Sequence, residues 1–223
     1  MNKLTIIVTY YNAEEYITGC LESIKQQRTQ DFNLIIVNDG STDQSKKLMD
    51  EAIKDYDKNI RFIDLDKNSG HAHARNIALE EVETPYFMFL DADDELASYA
   101  ITFYLEKFNN TDGLIAPIHS FTTQRPQFVD LDRVRVEYFN AKGNINSFLR
   151  KQSACNIIFR TAIVKAHHIR FNENLNTYVD WSFVLEYMKY VNKFVRIFNF
   201  PFYFRGEVYD PFETCLLYTS PSP

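Results

Sequence analysis

The sequence predicts an α/β fold, a mostly parallel central sheet with helices packed on both faces. Three observations lead there. Over roughly the first 95 residues, short apolar runs alternate with stretches of helical periodicity, the pattern of βαβ units. The apolar runs are continuous, as in strands buried on both faces of a parallel sheet. The conspicuous polar clusters fall just after those runs, at the carboxyl ends of the strands, where open α/β sheets bind ligands.

Leu4 to Val8 reads as the first strand and Tyr10-Tyr11-Asn12 as the turn after it, with Ile17, Cys20, Leu21 and Ile24 at helical spacing beyond. Asn12 followed by Glu15 suggests a cap and capping box for this helix. Leu34 to Val37 is the second strand, Asn38-Asp39-Gly40-Ser41-Thr42-Asp43 a polar loop, and Leu48, Ala52 and Ile53 one stripe of a second helix. Ile60 to Leu65, the turn Asn68-Ser69-Gly70, and the inner face Ala74, Ile77, Ala78 and Val82 repeat the unit, and Tyr86 to Leu90 is the fourth strand. Right-handed crossovers make such strands parallel.

Beyond about residue 95 the pattern loosens. Ser98 to Phe108 reads as a helix, Gly113 to Ile118 as a strand, and residues 119–147 as a long irregular stretch. Asn156 to Arg160, a helix from Thr161 to His168, a helix opening near Asp180 with Phe183, Val184, Tyr187 and Val191 inward, and an aromatic strand from Phe194 to Phe200 complete the pattern. Without an internal repeat or linker, one domain over residues 1–205 is expected, with 206–214 as the start of a continuation. Residues 215–223 turn abruptly to Ser and Pro and read as a tail foreign to the fold.

With 45% apolar and 24% charged residues, the chain can bury one sizeable core. A net charge of −6 argues against nucleic acid as a partner, because affinity for polyanions comes from clustered Lys and Arg. No apolar run approaches the ~20 residues that cross a bilayer. The first residues form an amphiphilic strand rather than a signal segment, so a cytoplasmic chain is expected, with peripheral association at the inner face of the cell membrane left open. Cys20, Cys155 and Cys215 are odd in number and widely spaced, which suits buried thiols better than a disulfide framework or zinc site. The sequon Asn109-Asn110-Thr111 carries no weight without secretion.

Met88-Phe89-Leu90-Asp91-Ala92-Asp93-Asp94 holds the most informative chemistry. Two carboxylates one residue apart at a strand end can both turn toward a hard divalent cation, which prefers oxygen ligands and leaves positions for water and phosphate. An Asp-x-Asp triplet alone is weak, since a chain of this charge content holds about one by chance. Here it follows a strand apolar enough to be central, and three acids in that place repel one another without a cation or a dense set of donors. Metal binding is therefore expected.

Four clusters then fall in order at four strand ends: Val8-Thr9-Tyr10-Tyr11-Asn12, Val37-Asn38-Asp39-Gly40-Ser41-Thr42-Asp43, Asn68-Ser69-Gly70 with Ala74-Arg75-Asn76, and Asp91-Ala92-Asp93-Asp94. Together they resemble the successive signatures of family 2 glycosyltransferases with the GT-A fold, over roughly residues 3–205. The resemblance implies a nucleotide-sugar donor, most simply a UDP-sugar, with Mn²⁺ or Mg²⁺ as cofactor. It implies that Asp39 binds the base, flanked by Thr9 and Tyr11, that Arg75 lies near the diphosphate, that Asp91 neighbours ribose and metal, and that Asp93 ligates the metal. A carboxylate accepts a base N–H and Arg offsets phosphate charge, so each role is chemically sound. Thr9 stands where the family usually has Pro, and Asn38 where it often has Asp, which removes one carboxylate.

An acceptor hydroxyl needs a general base. Asp180, in Tyr178-Val179-Asp180-Trp181-Ser182-Phe183, resembles the family's Glu-Asp-Trp motif with Val179 in place of Glu, which implies the catalytic Asp. The competing reading is an acid that merely opens a helix. His71 and His73 diverge on a helix and read as surface imidazoles, Trp181 as core as readily as sugar platform, and His167 and His168 as a helix end.

A dinucleotide-binding oxidoreductase would need G-x-G-x-x-G after the first strand, which is missing, as is a Walker loop. A sugar-nucleotide pyrophosphorylase would need a Gly-rich first loop. The expectation is an inverting, metal-dependent sugar transfer to a polyol-phosphate or saccharide acceptor in cell-wall or surface polymer synthesis. The resemblance extends to bacterial teichoic-acid enzymes, including glycosyltransferase-like domains fused to a further C-terminal domain. The alternative is a noncatalytic module of the same fold that binds nucleotide-sugar or polymer and positions a fused catalytic domain.

Overall fold

A computed structural model of the chain describes residues 2–56, 59–108, 111–120, 133–140, 153–198 and 202–205. The segments expected as continuation and tail, and much of the irregular stretch, lie outside them. The elements are β1 (Leu4–Tyr10), α1 (Ile17–Lys25), β2 (Phe32–Asn38), α2 (Ser45–Ile53), β3 (Ile60–Asp64), α3 (His71–Glu80), β4 (Tyr86–Asp91), β5 (Glu95–Leu96), α4 (Ala100–Lys107), β6 (Gly113–Ile115) and β7 (Ile118–Ser120). They continue with β8 (Val136–Asn140), a 3₁₀ turn (Ala154–Asn156), β9 (Ile157–Arg160), α5 (Thr161–Ala166), α6 (Val179–Met188), β10 (Lys193–Ile197) and β11 (Tyr203–Arg205).

Eight strands form the main sheet in the order β3-β2-β1-β4-β9-β6-β10-β8. β1 pairs in parallel with β2 on one side and β4 on the other, so it is buried along its whole length, which is why its sequence is a continuous apolar run. β3 closes one edge and is only half-buried. β9 runs antiparallel between β4 and β6. Registers align the strand ends: Thr9 lies opposite Asp91, Tyr10 opposite Asn38, and Asn38 opposite Asp64.

Phenylalanines tie the parallel half to the later elements. Phe89 of β4 meets Phe159 of β9, Phe171 and Phe183 of α6 at ring-centroid distances of 6.1, 5.3 and 6.2 Å, and Phe171 stacks on Phe183 at 4.1 Å. Each such pair adds about 0.5–1.5 kcal/mol beyond the area it buries. This aromatic block lies directly under the carboxyl end of β4.

The structure departs from the sequence reading in four places. Asn12 does not cap α1: it sits at φ 48° and its Oδ1 accepts from Thr42 N, while Tyr16 occupies the cap without a side-chain bond. The Gly113–Ile118 run breaks at Ala116-Pro117, and its two halves join different sheets because Pro117 has no N–H for a ladder. β8, inside the stretch expected to be irregular, pairs with β10 at the far edge. A second, three-stranded sheet, β5-β11-β7, has no counterpart in the reading, since two- and three-residue strands leave no periodicity to detect.

Gly40, after β2, has φ +67°, and a Cβ built there would lie 2.4 Å from the backbone carbon of Lys67. Replacing it with alanine forces apart the loops after β2 and β3. Gly40→Ala is expected to lose stability by about 1–3 kcal/mol, the usual cost of a strained backbone position, read as a lower urea midpoint with unchanged slope.

Candidate active site

The loops after β1, β2 and β3 are braced by their own backbone donors. Asn12 N, Ala13 N and Glu14 N donate to Ser41 Oγ (3.0 Å), Ser45 Oγ (2.7 Å) and Asp43 Oδ2 (3.1 Å). In return Thr42 N and Gln44 N donate to Asn12 Oδ1 (2.9 Å) and Glu14 Oε2 (2.8 Å). The N–H groups of the loop between β1 and α1 are thus served by the neighbouring loop, while the chain entering α1 turns on Ala13 O, which accepts from Tyr16 N and Ile17 N. Asn38 Nδ2 donates to Asp64 Oδ1 at 2.6 Å, a contact an aspartate would turn into carboxylate repulsion. That accounts physically for the missing acid at this position.

Asp39 is 2% exposed, and its two oxygens accept from Ser69 N (2.8 Å) and Gly70 N (2.9 Å). Burial raises its pKa, and those two N–H groups work in the opposite direction. It therefore clamps the loop before α3 to the end of β2. Thr9 is buried within β1, and Tyr11 is partly exposed just beyond the strand.

Arg75 sits in the middle. It lies on α3 with 1% exposure, its guanidinium 4.9 and 5.3 Å from the ring centres of Phe89 and Phe171. Nη1 donates to Asp180 Oδ1 at 2.5 Å, and Nη2 to Asp91 Oδ1 at 2.6 Å and Cys155 Sγ at 3.1 Å. Nε is buried without a partner. Arg75, expected beside a diphosphate, joins the two carboxylates.

Asp180 lies in the first turn of α6, but its oxygens do not cap that helix. Besides Arg75 they accept from Ser153 Oγ (3.1 Å) and Ala154 N (3.0 Å), and His71 Nε2 approaches to 3.7 Å. Burial opposes its ionisation, yet Arg75, His71 and the Ala154 N–H outweigh it and hold the carboxyl far below the usual range. Asp91 follows the same logic: burial pushes up, Arg75 pulls down, and the carboxyl stays acidic. His71 is therefore not a plain surface imidazole. His73 pairs with Glu173 at 3.1 Å, and Trp181 lies 6.3 Å from the exposed Tyr178 ring.

The other two acids behave oppositely. Burial, then repulsion from Asp91, raises the Asp93 pKa, and burial with repulsion from Asp91 and Asp93 raises that of Asp94 further. Carboxylate oxygens of Asp91, Asp93 and Asp94 lie within 4.8 Å of one another, the only such cluster of possible metal ligands among the described residues. This set suits a hard divalent cation: all ligands are oxygen, and ionising the cluster is unfavourable without added positive charge. Asp91 already spends both oxygens on Arg75 and Cys155, and Asp94 spends one on Tyr203 Oη at 2.5 Å. Asp93 is held by neither set.

Cys155, Ser153 and Tyr203 were missed as site residues. The thiols of Cys20 and Cys155 are buried as expected, but Cys155 donates to Asp91 Oδ2 at 3.1 Å and Cys20 to Asp91 O at 3.6 Å. Tyr203 Oη also accepts from Asp91 N at 3.3 Å. No motif carries these residues. Their place is set by pairings distant in sequence.

A mostly parallel sheet with an acidic cluster at its carboxyl edge and a buried arginine joining Asp91 to Asp180 defines a GT-A type α/β protein. Residues 5–168 match the model of Glycosyl transferase family 2, and the chain belongs to that family. It is 98% identical over 217 residues to the teichoic acid poly(glycerol phosphate) polymerase of Staphylococcus epidermidis, covering 97% of this chain and 30% of that protein. It is 29% identical over 201 residues to the poly(ribitol-phosphate) beta-N-acetylglucosaminyltransferase TarS of Staphylococcus aureus, covering 83% of this chain and 32% of that one. The structure of S. aureus TarS 1-349 in complex with UDP-GlcNAc superposes with a TM-score of 0.77 at 25% identity, over 93% of this chain and 59% of that chain. The chain spans about a third of the length of these two curated relatives. No helix among the described residues is long and apolar enough to cross a membrane.

Two outcomes follow. Because the fold disfavours ionisation of Asp93, the neutral isostere should relieve it: Asp93→Asn is expected to raise the melting temperature in EDTA at pH 7 and to abolish the stabilisation given by Mn²⁺, read by scanning calorimetry. Arg75→Met leaves two half-buried carboxylates facing each other without their cation and should cost up to about 3 kcal/mol. Asp91 and Asp180 have depressed pKa values, so the stability they add is complete above the ordinary Asp pKa of about 3.9 and fades as pH falls below it. The gap between parent and Arg75→Met should therefore narrow in acid.

Proposed function

We propose that this chain is a sugar-transferring domain that takes a UDP-sugar and passes the sugar, with inversion, to a hydroxyl of a polyol-phosphate or saccharide acceptor in cell-wall polymer synthesis. The observation that carries the reading is the joining of Asp91 and Asp180 by one buried guanidinium, which brings together the carboxylates this reading takes as donor-side and acceptor-side. The near-identical polymerase supports the teichoic-acid setting, and the TarS complex supports a UDP-sugar donor.

Asp39 and the braced loops after β1 and β2 form the end of the site suited to a nucleoside, with Tyr11 as the partly exposed ring there. Asp93, with Asp91, would hold Mn²⁺ or Mg²⁺, which when bound supplies positive charge to a departing diphosphate. Asp180 is ionised throughout the neutral range and accepts the acceptor's hydroxyl proton as that oxygen forms its bond to the anomeric carbon and the bond to diphosphate breaks. A carboxylate so strongly paired is a weak base, and its basicity rises only as the Arg75 contact lengthens.

The purified chain with Mn²⁺ is expected to bind UDP and to release UDP slowly from UDP-GlcNAc or UDP-glucose. Asp180→Ala should lower turnover by about 10²–10⁴-fold, the usual weight of a general base, with UDP affinity little changed, while Asp93→Ala should weaken UDP binding itself. Binding of UDP with both variants matching the parent in turnover would remove the catalytic reading in favour of a module that binds donor or polymer and positions another domain.

A further inference from the structure

The turn that leads into β9 touches both carboxylates of the cleft. Ser153 is extended (φ −79°, ψ 149°), and its Oγ accepts from Cys155 N at 3.2 Å while donating to Asp180 Oδ2 at 3.1 Å. Ala154 N donates to the same oxygen at 3.0 Å. One residue further on, the Cys155 thiol donates to Asp91 Oδ2 and receives Arg75 Nη2, both at 3.1 Å. Ala154 and Cys155 are 0% exposed. Asn156 fixes the turn from behind, with Nδ2 donating to Ala116 O at 2.9 Å and Asn156 O accepting from Ala116 N at 3.0 Å.

These contacts close two rings around the guanidinium. The first runs from Nη2 to Asp91 and back through the Cys155 sulfur. The second runs from Nη1 to Asp180, through Ser153 and Ala154 to Cys155, and back to Nη2. Arg75 by itself would hold each carboxylate at one oxygen and leave it free to swing about that contact. The second oxygen of each is pinned by the turn. Position 155 calls for a small group that both donates and accepts within a closed core: a thiol does this, a larger polar side chain would not fit, and an apolar one would strand the second oxygen of Asp91.

We propose that Ser153-Ala154-Cys155 is a positioning element that holds Asp180 in register with Asp91, with Cys155 setting the donor-side carboxylate and Ser153 the acceptor-side one. This rests on the transferase reading for its kinetic consequences, though not for its geometry. It predicts separable effects from two neighbouring side chains. Loss of the thiol should act on donor binding, and loss of the hydroxyl on turnover.

The test compares Cys155→Ala, Cys155→Ser and Ser153→Ala in the full chain, using UDP with Mn²⁺ in calorimetry, UDP release from UDP-GlcNAc, and a crystal structure of each variant. Removing a group that orients a ligating carboxylate costs about 10–100-fold in affinity or activity, so Cys155→Ala is expected to weaken Mn²⁺-dependent UDP binding by about tenfold, with Cys155→Ser recovering most of it. Ser153→Ala is expected to keep UDP affinity while kcat falls by a similar factor and KM for the donor is unchanged. A purely structural turn would lower the melting temperature alone, leave affinity and kcat per folded molecule intact, and make serine at 155 no better than alanine; that result overturns the proposal. If the parent binds UDP without turning it over, the transferase reading fails, and the crystal structures still decide: a carboxylate displaced by about 1 Å or more, enough to misalign a reacting group, supports the element, and unmoved carboxylates refute it. Should Cys155→Ala not fold, Ser153→Ala and Cys155→Ser carry the same comparison.

Discussion

A single buried cation organises this molecule. Arg75 brings a guanidinium into the interior at 1% exposure, where an unpaired charge would be prohibitive, and two carboxylates and two aromatic faces compensate it. The planar fork of arginine lets one side chain reach Asp91 and Asp180 through different nitrogens, which a lysine ammonium on its flexible stem would not do in fixed geometry. Because Asp91 ends β4, Asp180 begins α6 and Arg75 belongs to α3, this one group joins elements up to 105 residues apart. The phenylalanine block beneath it makes the guanidinium's position rigid rather than merely favourable.

Around that centre the strand ends are held by neighbouring loops more than by local turns. The donors of the loop after β1 are served from the loop after β2, and Asp39 closes the loop after β3. The small second sheet has the same logic. β11 has three residues, too few to form a layer of its own, yet it delivers Tyr203 so that one hydroxyl accepts from Asp91 N and donates to Asp94. Tyr203 thereby fixes the turn that carries Asp93, and the second sheet becomes a support for the acidic cluster.

The parallel half of the fold was legible because burial on both faces leaves a direct trace, the continuous apolar runs that became β1, β2 and β4. The acidic and glycine-containing clusters were legible because strand ends are where a parallel sheet gathers its chemistry. The second half was less so. Pro117 divides what looked like one strand, β5 and β11 are too short for any period, and Asn12 took a cross-loop bond in place of the expected cap. Cys155 was read correctly as a buried thiol, but nothing in its neighbours announces that its sulfur meets Asp91 and Arg75. His71 was assigned to the surface on helical divergence alone, and the fold instead turned it toward Asp180. Contacts of this kind depend on the long-range pairing of β4 with β9, which no local pattern encodes.

The four acids of the cleft divide by their distance from the one guanidinium. Asp91 and Asp180 touch Arg75 and are held acidic, while Asp93 and Asp94 are pushed up by burial and by repulsion from Asp91, against the weaker pull of Arg205, which lies 4.0 Å from Asp94. Environments that push like groups apart in this way assign them different tasks. Arg75 has its charge balanced by two carboxylates and orients both. The two carboxyls that burial and mutual repulsion push up are Asp93 and Asp94. The difference between the two pairs of aspartates is thus set by which of them reach Arg75.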